Sequence, residues 1–99
     1  MVLIVFRSRL LAEHADEFHG LAERMLELAQ QMPGFLSYRT YLSEDGERAS
    51  LIEFESAEHL HAWRTHPEHA EAMRIGRERY YSEYTLQVAD PVRESRFER

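Results

Sequence analysis

A chain of 99 residues has the size of one domain and buries about two-thirds of the surface it would expose unfolded, so it can build only one modest core. Eighteen acidic residues against twelve basic ones leave a formal net charge of −6, which disfavours a general attraction to nucleic acid or anionic lipid. Cysteine is absent and all twelve cationic side chains are arginine, which excludes disulfides, thiolate metal sites, a cysteine nucleophile and lysine Schiff-base chemistry.

Val2-Leu3-Ile4-Val5-Phe6 is apolar, but five residues followed at once by Arg7 are too few for a signal-peptide core or a membrane span. No other apolar run is long enough, so a soluble, cytoplasmic protein is expected. Val2 to Leu10 reads as a first strand with two different faces: Ile4, Phe6, Ser8 and Leu10 on one side, Leu3, Val5, Arg7 and Arg9 on the other. Both faces begin apolar, which fits a strand covered on both sides.

From about His14 the period changes. Phe18, Leu21, Ala22, Met25, Leu28, Ala29 and Met32 recur at three- and four-residue steps, the stripe of an amphipathic helix. Pro33-Gly34 stops it, because proline cannot continue the hydrogen-bond ladder and glycine accepts a positive φ. Phe35 to Leu42 and Arg48 to Glu55 form an antiparallel hairpin whose tip is marked by Asp45-Gly46, with Arg39 and Glu53 placed to pair across it. Ser56 can cap a helix carrying Ala57, Leu60 and Trp63. Thr65 or His66 can cap a second one in which Pro67 fills an early position, and Thr65-x-x-Glu68 matches a capping box. That second helix presents Ala70, Met73 and Gly76 or Arg77 along one side. Tyr80 to Val88 returns to strand composition, and Asp90-Pro91 ends it.

The order strand, helix, hairpin, helix, strand predicts an α+β, ferredoxin-like βαββαβ domain with a four-stranded antiparallel sheet, spanning residues 1–92 and followed by a charged tail at 93–99. With both helices on one face, the other face needs cover. A second copy of the chain is the simplest cover, so a homodimer is expected.

Chemistry concentrates in Leu60-His61-Ala62-Trp63-Arg64-Thr65-His66-Pro67-Glu68-His69, which holds the single tryptophan, three of the six histidines and a helix break. His66-x-x-His69 could in principle hold a metal with Glu68 or Glu71. Capping and Pro67 account for the irregular backbone without one, so no metal is expected. Trp63 can supply a flat apolar wall and one hydrogen-bond donor. Abundant aromatic residues, together with Met25 and Met73, suit a small planar hydrophobic ligand. The acidic balance argues against nucleic-acid stacking.

The segment Leu51-Ile52-Glu53-Phe54-Glu55-Ser56-Ala57-Glu58-His59-Leu60, continuing through Trp63-Arg64-Thr65-His66-Pro67-Glu68-His69, resembles the antibiotic biosynthesis monooxygenase superfamily. Pro33-Gly34-Phe35 resembles that family's turn into its second strand. The resemblance implies a dimeric α/β barrel with a pocket between sheet and helices in each subunit, used in some members for cofactor-independent oxygenation of phenols, anthrones and polyketide-like compounds. A haem-degrading branch resembles the chain at Trp63 but departs elsewhere: its strand-one asparagine falls on Ser8 and its iron-ligating histidine on Met73.

Oxygenation without a cofactor requires a base to deprotonate a phenol or enol and a donor to hold the resulting oxyanion. Histidine suits the first task. The expected site therefore has His66 or His69 as base and Trp63 as donor and wall, with Phe6, Ser8, Met25, Phe54 and Met73 around the ligand. A non-catalytic dimer that binds a small hydrophobic molecule, and a haem-binding protein, are the alternatives from other classes.

Overall fold

Alternation along the first strand decides the layering. The computed structural model, which describes every residue from Met1 to Arg99, contains β1 (Val2–Leu10), α1 (Ala15–Gln31), β2 (Phe35–Leu42), β3 (Arg48–Phe54), α2 (Ala57–Arg64), α3 (Pro67–Ile75), a π-helical turn (Gly76–Tyr80) and β4 (Tyr81–Ala89). The four strands form one antiparallel sheet in the order β2-β3-β1-β4, the α+β ferredoxin-like arrangement.

In the register of β1 against β3, Val2 faces Phe54 and Ile4 faces Ile52. These four side chains join Met25, Leu28 and Ala29 of α1 with Leu60 and Trp63 of α2 in the core. Phe54 and Ile4 are the largest fully buried side chains, so the centre of the sheet, not an edge, carries the hydrophobic load. The opposite face is set by the same register: Val5 faces Leu51 and Arg7 faces Ala49, while Tyr41 lies beside Ala49 from β2. Leu3, Val5 and Leu51 are half-buried there and Tyr41 is exposed.

Turn chemistry follows the punctuation. Gly34 adopts φ 80 and Gly46 φ 93, the left-handed values that the helix stop and the hairpin tip require. Asp45 ties the hairpin down by accepting from Arg9 and from the Ser43 hydroxyl. The Arg9 guanidinium holds the Asp45 carboxyl well below the usual carboxylate range, with the Ser43 bond acting in the same direction.

Three local expectations need correction. Thr65 does not form a capping box with Glu68: it closes α2, its hydroxyl donating to the His61 carbonyl, while Glu68 receives Arg24 from α1. Arg39 does not meet Glu53, because the register sets Arg39 against Leu51 and Glu53 accepts from Ser37 instead. The last strand begins at Tyr81, not Tyr80, because the chain first passes through the π-helical turn, which the mixed sequence Gly76-Arg77-Glu78-Arg79-Tyr80 does not announce. Residues after Ala89 lack regular structure, and Val92 and Phe97 are exposed.

Candidate functional site

The break between α2 and α3 builds the site. The Ser56 side chain accepts from the His59 amide and starts α2; the Thr65 amide closes it on the His61 carbonyl at 2.9 Å. His66 then caps α3, its Nδ1 accepting from the Glu68 amide at 3.1 Å, with Pro67 in the first turn where a missing N–H costs nothing. This reversal brings His69 back over Trp63, their ring centroids 4.2 Å apart and their planes at 50°. Phe54 stacks on Trp63 at 5.7 Å and Tyr38 meets it edge-on at 6.2 Å, so the indole is clamped between strands and helix.

The two rings carry opposite and unspent hydrogen-bonding capacity. Trp63 is 2% exposed, and its Nε1–H is a buried donor with no partner, which costs roughly 1–3 kcal/mol unless a ligand or water accepts the proton. His69 is 8% exposed and contacts the Arg64 carbonyl through Nδ1 at 3.3 Å. A carbonyl only accepts, so Nδ1 carries the proton and the lone pair lies on Nε2, which has no protein partner. Burial holds the His69 pKa below its ordinary value, and the positive charge of Arg64 acts in the same sense, against the bond to the Arg64 carbonyl. The imidazole is therefore neutral and basic at Nε2 near pH 7.

Both rings line a small chamber of ≈ 30 Å³. Ile4, Phe6, Ile52 and Leu86 form its sheet side; Trp63, Arg64, His69 and Met73 form its helix side. An outer groove of ≈ 290 Å³ shares Arg64, His69, Met73 and Leu86 with the chamber and adds Ala70, Arg77 and Tyr84. Together they make a largely apolar recess in which His69, Arg64, Met73 and Leu86 are shared, Trp63 belongs to the chamber and Arg77 to the groove.

Of the residues expected at the site, Trp63, His69, Phe6 and Met73 come together here. Phe54 stands behind Trp63 as its support, and Met25 is core beneath α1. Ser8 is buried on the helix-facing side but lines a different depression, beside Arg7, Glu47 and Tyr84. His66 is committed to capping α3. No group of three or more His, Asp or Glu side chains is arranged to hold a metal ion. Sequence reasoning did not place Ile4, Ile52, Leu86, Arg64 or Tyr84 at the site. The first two were within reach, since strand alternation puts Ile4 on the face of Phe6 and Ile52 on that of Phe54.

The family model described as antibiotic biosynthesis monooxygenase matches residues 1–75, a span that includes Trp63, His69 and Met73. A Bacillus subtilis (strain 168) protein, the uncharacterized protein YqjZ, is 32% identical over 94 residues, covering 95% of this chain and 82% of the relative. Among solved structures, Rv0793 from Mycobacterium tuberculosis is similar with a TM-score of 0.83 at 21% identity, covering 96% of this chain and 98% of that one. A variant of SnoaB, a cofactor-independent oxygenase from Streptomyces nogalater, is similar with a TM-score of 0.80 at 14% identity and covers 94% of both chains. At such identities the solved structures speak for the fold.

Proposed function

The chain belongs to the antibiotic biosynthesis monooxygenase family, and from that premise we propose that its recess binds a small planar phenol, quinol or polyketide-like aromatic and oxygenates it without a cofactor. One observation carries the reading: Trp63, whose buried indole N–H has no partner, and His69, whose Nε2 lone pair has none either, line the same small apolar chamber. A phenol uses both, giving its proton to His69 and resting its oxygen on Trp63.

The chemistry follows from that pairing. Removal of the phenolic proton by His69 Nε2 creates an electron-rich anion, and the Trp63 N–H stabilises the charge on oxygen. The anion passes an electron to dioxygen, the resulting radicals join in a new carbon–oxygen bond, and the peroxide anion so formed takes the proton back from His69 to become a hydroperoxide. Loss of water then leaves a quinone. One oxygen atom stays in the product and the other departs as water, so the substrate is its own reductant. Size divides the recess accordingly: ≈ 30 Å³ accommodates one water-sized molecule such as dioxygen, while the ring system lies in the ≈ 290 Å³ groove.

The reading takes a planar aromatic rather than haem as the ligand. Ligand pockets commonly measure about 300–1,000 Å³, and a groove of ≈ 290 Å³ lies at the small end of that range. By the resemblance, Met73 falls where the haem branch has its iron ligand, and it lines the chamber wall. We further propose that the chain works as a homodimer paired through the sheet face of Leu3, Val5, Leu51 and Tyr41, since an apolar strip of this kind on a small sheet gains stability from cover.

Oxygen uptake with a panel of naphthols, anthrones and quinols tests the reading. Turnover that falls sharply in Trp63→Phe and His69→Gln supports it. Binding of these compounds without any oxygen consumption would instead make the protein a carrier of planar aromatics.

A further inference from the structure

We propose that Arg64 and Arg77 form an anion-recognition subsite on the rim of the groove, so that the aromatic ligand carries a carboxylate at the end opposite its phenol. The inference rests on the reading of the recess as the ligand site and deepens it by naming the substrate class.

Charge pairing and position distinguish these two arginines from the rest. Acidic side chains outnumber arginines 18 to 12, yet only half of the arginines pair with a carboxylate. Arg7, Arg9, Arg24, Arg74, Arg79 and Arg96 each pair with a carboxylate. Arg64 and Arg77 do not, and both line the same groove, whose wall contains no acidic residue. Among the other unpaired arginines, Arg48 rests over the Phe18 ring and Arg99 over Phe97, while Arg39 and Arg93 line no cavity.

The fold sets both cations deliberately beside the reactive pair. Arg64 is the last residue of α2, and its carbonyl is the group that orients His69. Arg77 rides on the π-helical turn, its guanidinium 3.4 Å from the Tyr84 hydroxyl across the groove. Between them the floor is apolar, formed by Ala70, Met73 and Leu86. A cleft lined by charge of one sign over low-dielectric walls concentrates its field on an entering ion, all the more so in a chain whose net charge would otherwise repel an anion. The recess thus reads as a sequence: cations at the rim, an apolar slot, then base and donor within. A ligand complementary to it has an anionic end, a flat apolar middle and a phenolic end. When its carboxylate neutralises Arg64, it also removes a positive charge that suppresses the basicity of His69, so the correct substrate sharpens the base it needs.

Isothermal titration calorimetry under nitrogen decides the matter with two probes of equal shape, 6-hydroxy-2-naphthoate and 6-hydroxy-2-naphthamide. The acid is expected to bind about tenfold more tightly than the amide, equivalent to about 1.4 kcal/mol, and the advantage is expected to shrink as sodium chloride is raised. Arg64→Gln/Arg77→Gln is expected to abolish the preference, so that acid and amide bind the variant with equal affinity. The indole N–H resonance of the single tryptophan reports whether either probe reaches the recess. Equal affinities for acid and amide in the wild type, a preference that survives the double variant, or acid binding that leaves the Trp63 resonance unmoved each overturns the proposal; so does an acid that does not bind. The salt series on the wild type decides the question even if the double variant fails to fold. Because binding is measured without oxygen, an acid preference with no turnover of any phenol would overturn the oxygenase reading and leave this subsite standing, and turnover of neutral phenols without an acid preference would do the reverse.

Discussion

Trp63 and His69 lie with ring centroids 4.2 Å apart, one holding a buried proton without an acceptor and the other a lone pair without a donor, and they do not satisfy each other. The geometry explains why. Rings this close, tilted at 50°, meet largely through their faces, whereas the indole N–H and the imidazole lone pair each lie in the plane of their own ring. Neither capacity is used by the other ring.

Replacing Trp63 by phenylalanine separates the wall from the donor. The stack on Phe54 survives, and the loss of packing volume is offset by removal of an unpaired donor that costs roughly 1–3 kcal/mol, so urea denaturation is expected to place the variant within about 1 kcal/mol of wild type. Turnover of a phenol is expected to drop about 100-fold, the order seen when an oxyanion donor is lost. Trp63→Ala should cost about 3–5 kcal/mol of stability, since it empties a fully packed position. A Phe variant with undiminished turnover would remove Trp63 from the chemistry.

His69 predicts the direction of the pH dependence. Burial lowers its pKa in the folded protein below the ordinary value of 6.5, so the unfolded chain binds its proton first on acidification. The stability this provides is complete above about pH 6.5 and is lost progressively as pH falls from there to the folded-state value. Thermal melts between pH 7.5 and 5 are expected to show the melting temperature falling, with a shallower fall in His69→Phe. The rate with a phenol is expected to lose activity over the same acidic limb, because the protonated imidazole no longer accepts.

Particular residues show how far the sequence alone could lead. The two faces of β1, the stop at Gly34 and the tip at Gly46 were readable because each depends on a local rule: period two, or a φ that only glycine adopts cheaply. His66 and His69 were not separable. Both are histidines at one helix start, and only the three-dimensional break shows that capping takes the first while the second turns over Trp63. Met25 sits on the apolar stripe of its helix like any ligand-facing residue, yet it is buried in the same core cluster as Ile4, Ile52 and Phe54. The unpaired state of Arg64 and Arg77 belongs to no local pattern, because it depends on where every carboxylate of the chain ends up.

Gly34 offers a test of the scaffold away from the recess. It holds φ 80, and a Cβ built there would lie 2.3 Å from Cγ of His59, whose Nδ1 is fixed to the Ser56 hydroxyl at 2.7 Å. Gly34→Ala is expected to destabilise the fold by about 2–4 kcal/mol through a left-handed backbone and a clash together. Adding His59→Ala relieves the clash and leaves the backbone cost of about 1–2 kcal/mol, so the double variant should be more stable than the single one in a denaturant titration. A single variant as stable as wild type would show that this turn tolerates a side chain.

The open face of the sheet carries the remaining prediction. Leu51 lies at its centre, between Val5 of β1 and Arg39 of β2, and it is half-buried without any helix above it. Leu3 and Tyr41 extend the apolar strip, while Arg7 with Glu47 and Arg9 with Asp45 border it at one end as paired charges. A second copy related by a two-fold axis would lay the same strip on itself and keep those pairs at the rim, where their partial exposure to water costs least. Light scattering at micromolar concentration is expected to give twice the chain mass of 11.8 kDa. Leu51→Arg puts like charges face to face across such an axis and is expected to yield single chains with unchanged circular dichroism and a lower melting temperature, because the face then has to be solvated. A wild-type protein that scatters as a single, stably folded chain at these concentrations would mean that the strip is content in water, and the proposed pairing would fall.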